Sequence, residues 1–119
     1  QFDRLYPDKS YVFQQDGATS HTAKYTIGWM EKNLKEFWKP NEWPSNSPDL
    51  NPLDYYVWNA LQELVYQTEI KSIDHLKRRI KWAWSKLDQQ KINDKINEFE
   101  MRLKLVVQAD GGHMETKLL

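Results

Sequence analysis

Every proline of the chain lies within the first 52 residues, and this distribution constrains the fold more than any other feature of the sequence. Proline breaks helices because it lacks a backbone N–H donor and clashes with the preceding turn. From residue 53 onwards, apolar residues recur every three or four positions, which is the spacing of one buried helix face. The sequence therefore predicts helices at about 52–67, after Ser72, and at roughly 89–108.

Composition narrows the class of protein further. The chain has 119 residues, which is room for one domain, and its 13% aromatic content is not that of a disordered chain. It has no cysteine, which excludes a disulfide framework, a thiolate zinc site and a cysteine nucleophile. Its apolar stretches are too short to span a bilayer, so we expect no membrane partner. The net charge of zero hides a division, because residues 1–70 sum to −4 and residues 71–119 to +4.

The proline-containing part alternates strand-like and helix-like segments. Tyr-Val-Phe at 11–13 predicts a short buried strand that leads to Asp16-Gly17, and residues 36–38 predict a second strand. Between them, Ser20 is the predicted N-cap of a helix over about 21–34. The expected fold class is therefore α/β, with two short strands, four helices and a mostly helical C-terminal half. Two such strands make a poor sheet, so we expect an incomplete domain.

Two carboxylates lie at the ends of predicted elements. Asp16 follows a strand, where α/β sheets collect ligands, and Asp54 lies at the start of a helix that begins with Asn51 and Pro52. Asp54 heads an apolar stripe of Trp, Leu and Val, where burying a carboxylate is costly unless it is hydrogen-bonded, paired or bound to a cation. Two carboxylates brought together favour a hard divalent cation, Mg²⁺ or Mn²⁺.

Each of these residues also has a plainer interpretation. Asp16, directly before Gly17, is compatible with an ordinary turn aspartate. Asp54 lies three residues after Asn51 and resembles a capping-box acid that the helix dipole favours. His21, taken alone, is compatible with a surface or hydrogen-bonding histidine. The local sequence leaves these alternatives open.

Two longer segments resemble motifs of one protein family. Residues 13–23, Phe-Gln-Gln-Asp-Gly-Ala-Thr-Ser-His-Thr-Ala, resemble the second-aspartate motif of mariner-like transposases of the DDE/D superfamily. Residues 43–55, Trp-Pro-Ser-Asn-Ser-Pro-Asp-Leu-Asn-Pro-Leu-Asp-Tyr, resemble the third-carboxylate motif of that family. The 37 residues between Asp16 and Asp54 are similar to the spacing in the family. The basic helix with Arg102 and the ending Gly111-Gly112-His113 resemble the family's C-terminal tail.

The resemblance implies part of a ribonuclease-H-like catalytic core over residues 1–70, completed by a helical extension over 71–119. It implies cutting and joining of transposon-end DNA with two divalent metal ions, Mg²⁺ or Mn²⁺. By motif position, Asp16 and Asp54 would be catalytic, metal-binding acids, and His21 a group that orients a ligand. It also implies transposon-end DNA as the partner of the parent protein and a nuclear location, and it leaves a homodimer open.

The first acid of the family has no counterpart in this chain, because only 15 residues precede Asp16. The chain also begins at Gln1 rather than at Met, which leaves processing, truncation or a fragment open. We therefore expect a fragment of a transposase that is inactive on its own.

A function of another class stays open, namely a non-catalytic DNA- or protein-binding remnant or an interaction module. Residues 72–108 predict two amphipathic helices that are able to dock a partner. The basic run at 77–81 is compatible with contacts to DNA phosphates, a nuclear import signal or a solvated helix face. Trp82 and Trp84 cannot share one helix face, so we expect one of them, Trp82, to be exposed or covered by a partner.

Overall fold

A computed structural model describes residues 2–110, with backbone alone for residues 2 and 3. A 3₁₀ turn (Pro48–Leu50) and a π-helical turn (Leu53–Val57) precede the fourth α-helix. The described chain divides after Asn46 into two compact units. Its α-helices are α1 (Phe2–Leu5), α2 (Thr19–Thr22), α3 (Lys24–Asn33), α4 (Trp58–Val65), α5 (Ile73–Lys86), α6 (Gln89–Asn97) and α7 (Phe99–Gln108).

The two segments predicted as strands lie in the first unit and meet there without forming a sheet. The Phe13 N–H donates to Glu36 O at 3.0 Å, and the Trp38 N–H donates to Phe13 O at 2.9 Å. The result is a single parallel bridge between Phe13 and Phe37, and no strand forms in residues 2–110. The prediction of a partial ribonuclease-H-like α/β fold is therefore wrong, and the described chain is helical. A two-stranded pair this short is marginal in water, which explains why pairing stops at one bridge.

The helix predicted over 21–34 is interrupted at Ala23, whose ψ of 139° is extended rather than helical. Ser20 lies inside α2 and caps neither α2 nor α3, so its prediction as an N-cap is wrong. The Thr26 hydroxyl donates to Ser20 O at 2.8 Å, and such a side-chain bond competes with the helical backbone ladder. Met30, a member of the predicted apolar stripe, is buried as expected.

Asn51 begins the first long helical segment of the second unit, as predicted. Its side-chain oxygen accepts a hydrogen bond from the Leu53 N–H at 3.1 Å, and its backbone carbonyl accepts one from the Asp54 N–H at 2.9 Å. Asn51 is itself buried, so these bonds form away from water. The helical segment then runs through the π turn and α4 to Val65.

The π turn changes which residues of this segment face the interior. A π turn holds an extra residue compared with an α-helical turn and therefore shifts the following residues around the axis. Val57 and Val65 are buried, whereas Trp58 and Asp54 are exposed. The predicted stripe headed by Asp54 is wrong in its first two members and correct at Val65.

Helix α5 begins at the predicted place, and its Arg79 side chain donates hydrogen bonds to the last carbonyls of α4. The Ser72 hydroxyl oxygen accepts a hydrogen bond from the His75 N–H at 3.1 Å, which confirms Ser72 as an N-cap. Arg79 Nε donates to Val65 O at 3.2 Å, and Arg79 Nη2 donates to Leu64 O at 2.5 Å. The last carbonyls of α4, which have no partner within their own helix, are satisfied in this way.

Helix α5 buries a small residue and exposes larger apolar ones. Ala83 is fully buried, whereas Ile73, Ile80 and Trp84 are exposed. Arg79, four residues before Ala83 and so on the same side of the helix, caps α4. Trp82 is exposed as expected, with the Arg79 guanidinium 4.1 Å from the centre of its ring.

The helix predicted over 89–108 is two helices, because α6 ends and α7 begins around Glu98. Asp88 caps α6 by accepting hydrogen bonds from the N–H groups of Gln90 and Lys91. The predicted stop at Gly111-Gly112 lies outside the described residues. Within residues 2–110, each helix is too short or too polar to cross a membrane.

The N-cap of α5 gives a direct test of this architecture. Replacing Ser72→Ala removes the acceptor for the His75 N–H and should lower the free energy of unfolding by about 1 kcal/mol. Urea unfolding followed by circular dichroism measures the change. Ser85→Ala is the matched control, because the Ser85 hydroxyl donates to Trp82 O on the exposed side of the same helix. The assignment of the cap fails if both variants unfold at the same urea concentration.

Candidate functional site

Asp16 lies in the loop before α2, and one of its oxygens accepts two hydrogen bonds. The Ala18 N–H donates to Oδ1 at 3.1 Å, and His21 Nδ1 lies 2.5 Å from the same atom. The bond from Ala18 is the larger cause, and the bond from His21 the next, of a pKa of Asp16 below its usual value. Asp16 is thus both a turn aspartate and an ionised carboxylate whose Oδ2 has no hydrogen bond from the described residues.

His21 comes from the middle of α2 and orients the Asp16 carboxylate. An ionised carboxylate only accepts hydrogen bonds, so Nδ1 of His21 must carry the hydrogen. In the neutral ring the lone pair then lies on Nε2. Because both side chains are about half exposed, the Asp16–His21 pair is screened by water and adds little to the stability of the folded chain.

A small cleft in the first unit opens beside this pair. Asp16 and His21 line it together with Trp38, Lys39 and Trp43. The indole rings of Trp38 and Trp43 pack edge to face with their centres 6.0 Å apart and form part of the lining of the cleft. The space inside is about 20 Å³, which suits one water molecule or a small ion and is too small for a nucleotide.

Asp54 lies in the second unit, on the π turn, with its side chain exposed. Its backbone N–H donates to Asn51 O, and its carboxylate has no hydrogen bond or ion pair among the described residues. The expectation that the Asp54 carboxylate is buried and needs a cation for that reason is wrong, because the side chain is exposed. What the structure provides is an accessible carboxylate on a turn type that is frequent at functional sites.

Tyr55, the next residue, anchors that turn. Its hydroxyl donates to Lys95 O in α6, and the Arg102 guanidinium lies 3.5 Å from the centre of its ring. Burial raises the pKa of Tyr55, and the nearby Glu98 adds to this while Arg102 opposes it. Since Tyr55 is fixed on the inner side of the turn, Asp54 beside it is held on the outer side.

Arg102 of α7 is the group that connects these elements, and only 8% of it is exposed. Its Nη1 donates to Asp49 O at 3.2 Å and its Nε donates to Glu98 Oε2 at 3.2 Å. The 3₁₀ turn, the π turn and α7 are therefore held by one buried cation. In the sequence Arg102 stands out only as part of a basic helix. Its position four residues before Val106 and three after Phe99, on an apolar face, is the signal that could have revealed it.

Glu98 is shared between Arg102 and Lys95. Lys95 Nζ donates to Glu98 Oε1 at 2.6 Å, so each carboxylate oxygen has a cationic partner. Burial alone would raise the pKa of Glu98, but the hydrogen bonds from Lys95 and Arg102 outweigh it and the pKa lies below its usual value. One carboxylate therefore pairs with two cations in this network.

The structure brings Asp16 together with His21, and it places Asp54 with Tyr55 in the other compact unit. Within residues 2–110, no three His, Cys, Asp or Glu side chains form a group that could hold a metal ion. The described residues thus do not fit a complete metal site by themselves. The assignment of Asp16 and Asp54 as metal ligands and of His21 as an orienting group stays a prediction.

Removing Arg102 should destabilise the second unit strongly. Arg102→Met keeps much of the volume but leaves the Asp49 carbonyl and one Glu98 oxygen without a donor, so we expect a loss of about 2–4 kcal/mol. Urea unfolding measures it. Lys104→Met is the control, since the Lys104–Glu100 pair is exposed and its loss should cost at most about 0.5 kcal/mol. Equal costs for the two variants would contradict the role given to Arg102.

The Asp16–His21 pair predicts a pH dependence. Because the pKa of Asp16 is lowered on folding, its contribution to stability is present above the unfolded pKa and is lost as the pH falls through the folded pKa. NMR titration of the Asp16 carboxyl carbon should show a low pKa, which His21→Ala raises only in part because the Ala18 N–H remains. Gly17→Ala should leave it unchanged, since a Cβ there meets nothing within 4 Å. An Asp16 pKa that His21→Ala does not move would exclude the pair.

Comparison with known proteins places these residues in context. No protein-family model matches the chain. It is 31% identical over 111 residues to the transposable element Tc3 transposase of Caenorhabditis elegans, which covers 92% of this chain and 32% of that protein. It is 27% identical over 103 residues both to the Tc1 transposase of C. elegans and to the Tcb1 transposase of Caenorhabditis briggsae, which covers 87% of this chain and 36% of each relative. The chain thus spans about a third of the length of these relatives, and it is a homologue of Tc1/Tc3-type transposases.

Proposed function

We propose that this chain is part of a DNA transposase of the mariner-like DDE/D type, in which Asp16 and Asp54 supply carboxylates to a divalent cation. The observation that carries the proposal is the similarity to the Tc3 transposase along 92% of the chain. Both acids lie in the segments that resemble the catalytic motifs of that family. Oxygen ligands of this kind favour Mg²⁺ or Mn²⁺, which would assist phosphoryl transfer at transposon-end DNA.

The chain's own residues suit the role proposed for the two acids. Asp16 is an ionised carboxylate whose pKa is lowered by hydrogen bonds from Ala18 and His21. His21 holds it through one oxygen, so Oδ2 remains accessible. Asp54 is accessible on a turn that Tyr55 anchors. A carboxylate that is ionised, held in place and open to solvent can bind a cation without first losing a strong internal partner.

The proposal extends to the parent protein. There the partner would be transposon-end DNA and the location the nucleus, and a homodimer stays open. The chain alone would be inactive, because its motifs supply two of the three acids that the resembling family uses. Incubation of the purified chain with transposon-end DNA and Mg²⁺ or Mn²⁺ should therefore give no nicking or joining; activity that Asp16→Ala abolishes would contradict the inactivity of the isolated chain.

Binding of Mn²⁺ tests the two acids directly. Mn²⁺ broadens NMR signals near its ligands, so titration should broaden the amides around residue 16 and around residue 54 before others. Asp16→Asn and Asp54→Asn should each weaken the effect at the substituted residue. Asp94→Asn is the control, an exposed aspartate in α6 outside both motifs. Broadening that is uniform over all exposed carboxylates would contradict the assignment of these two residues.

A non-catalytic binding module is the second candidate, and one observation favours it. Helix α5 exposes Ile73, Ile80 and Trp84, which the fold of the second unit does not cover. Large apolar side chains gathered on one exposed helix face are typical of a surface that contacts a partner.

A further inference from the structure

Helix α5 carries cations and apolar side chains on the same exposed face. Its sequence has five basic residues and one acid, Asp74. Lys77, Ile80, Lys81 and Trp84 follow one another at spacings of three, one and three, so they lie side by side along about two turns. We call these four residues the α5 face.

The second unit does not use the α5 face for its own packing. Ala83 and Arg79 lie on the other side of the helix, where Arg79 caps α4. Trp84 is 54% exposed and Ile80 is 41% exposed. Lys77 and Lys81 are exposed, and no carboxylate of residues 4–110 forms an ion pair with either of them.

We propose that the α5 face binds a single strand of DNA, with Lys77 and Lys81 contacting successive phosphates and Trp84 stacking on a base. The two ammonium groups are unpaired positive charges one helical turn apart, which complements a polyanionic backbone. An exposed indole offers little to a duplex, whose bases are already stacked, but it provides a stacking surface for an unpaired base. Ile80 extends the apolar surface beside the indole.

The choice of DNA over another polyanion rests on the proposed function. The exposed lysines and the exposed indole of the α5 face are observed independently of that function. The α5 face is also separate from the carboxylates proposed to bind the cation. If the α5 face does not bind DNA, the assignment of Asp16 and Asp54 as Mn²⁺ ligands is unaffected. If that assignment fails, binding of DNA at the α5 face is still tested by its own measurement.

Fluorescence anisotropy with a labelled single-stranded oligonucleotide of mixed sequence, recorded at several salt concentrations, tests the proposal. The double variant Lys77→Gln/Lys81→Gln should weaken binding and make the plot of log K against log salt shallower by about 1.4, since each phosphate contact on a single strand contributes about 0.7. Trp84→Leu should weaken binding by about 5-fold to 100-fold with little change in the salt slope.

Lys86→Gln is the control, because it removes one positive charge from the same helix on a different side. It should leave affinity within about twofold of the unchanged chain. Circular dichroism confirms that each variant keeps its helices, which is expected because all the substituted side chains are exposed.

Any of three results with DNA would overturn the proposal: no binding of the oligonucleotide by the unchanged chain, an equal loss from Lys86→Gln and from the double variant, or tighter binding to duplex DNA than to the single strand. Binding to vesicles of anionic phospholipid in preference to the oligonucleotide would also overturn it, since a basic amphipathic helix can lie on a membrane surface.

Discussion

The buried guanidinium of Arg102 is the interaction on which the second unit depends. Two turns that lie close together in the sequence meet α7 at it: the 3₁₀ turn through Asp49 O and the π turn through the ring of Tyr55. A buried cation is costly unless it is hydrogen-bonded and paired, and Arg102 donates to Asp49 O and to the Glu98 carboxylate. The same contacts that stabilise the unit therefore also fix the turn that carries Asp54.

The two candidate acids are held in different ways. Asp16 is fixed by short-range contacts, with Ala18 and His21 two and five residues away. Asp54 is fixed indirectly, because its neighbour Tyr55 reaches Lys95 and Arg102, about forty residues along the chain. The similarity to the Tc3 transposase covers 92% of the chain and so includes both acids. The proposed function uses both of them. Changes in α6 and α7 should thus affect Asp54 more than Asp16.

Local signals located two helix starts correctly, whereas the third, Ser20, is wrong. Asn51 and Ser72 were predicted as helix starts because an N-cap depends on one side chain and the next few N–H groups. The sequence did not reveal two features that shape the second unit: the π turn, after which Trp58 is exposed, and the capping of α4 by Arg79 of the next helix. The α/β prediction failed because it assumed that strand-like segments imply a sheet, whereas Phe13 and Phe37 form one bridge. The two acids were predicted from their motifs, but Lys95 and Arg102, which hold the neighbouring Tyr55, lie far outside the motif of Asp54.

Amide hydrogen exchange, compared between the unchanged chain and Arg102→Met, tests most directly whether Arg102 holds the turn that carries Asp54. In the unchanged chain the Asp54 and Tyr55 amides donate to Asn51 O and should be protected. We expect the substitution to speed exchange at these two amides more than at amides in the middle of α5. Protection that is retained at Asp54 and Tyr55 would contradict the account.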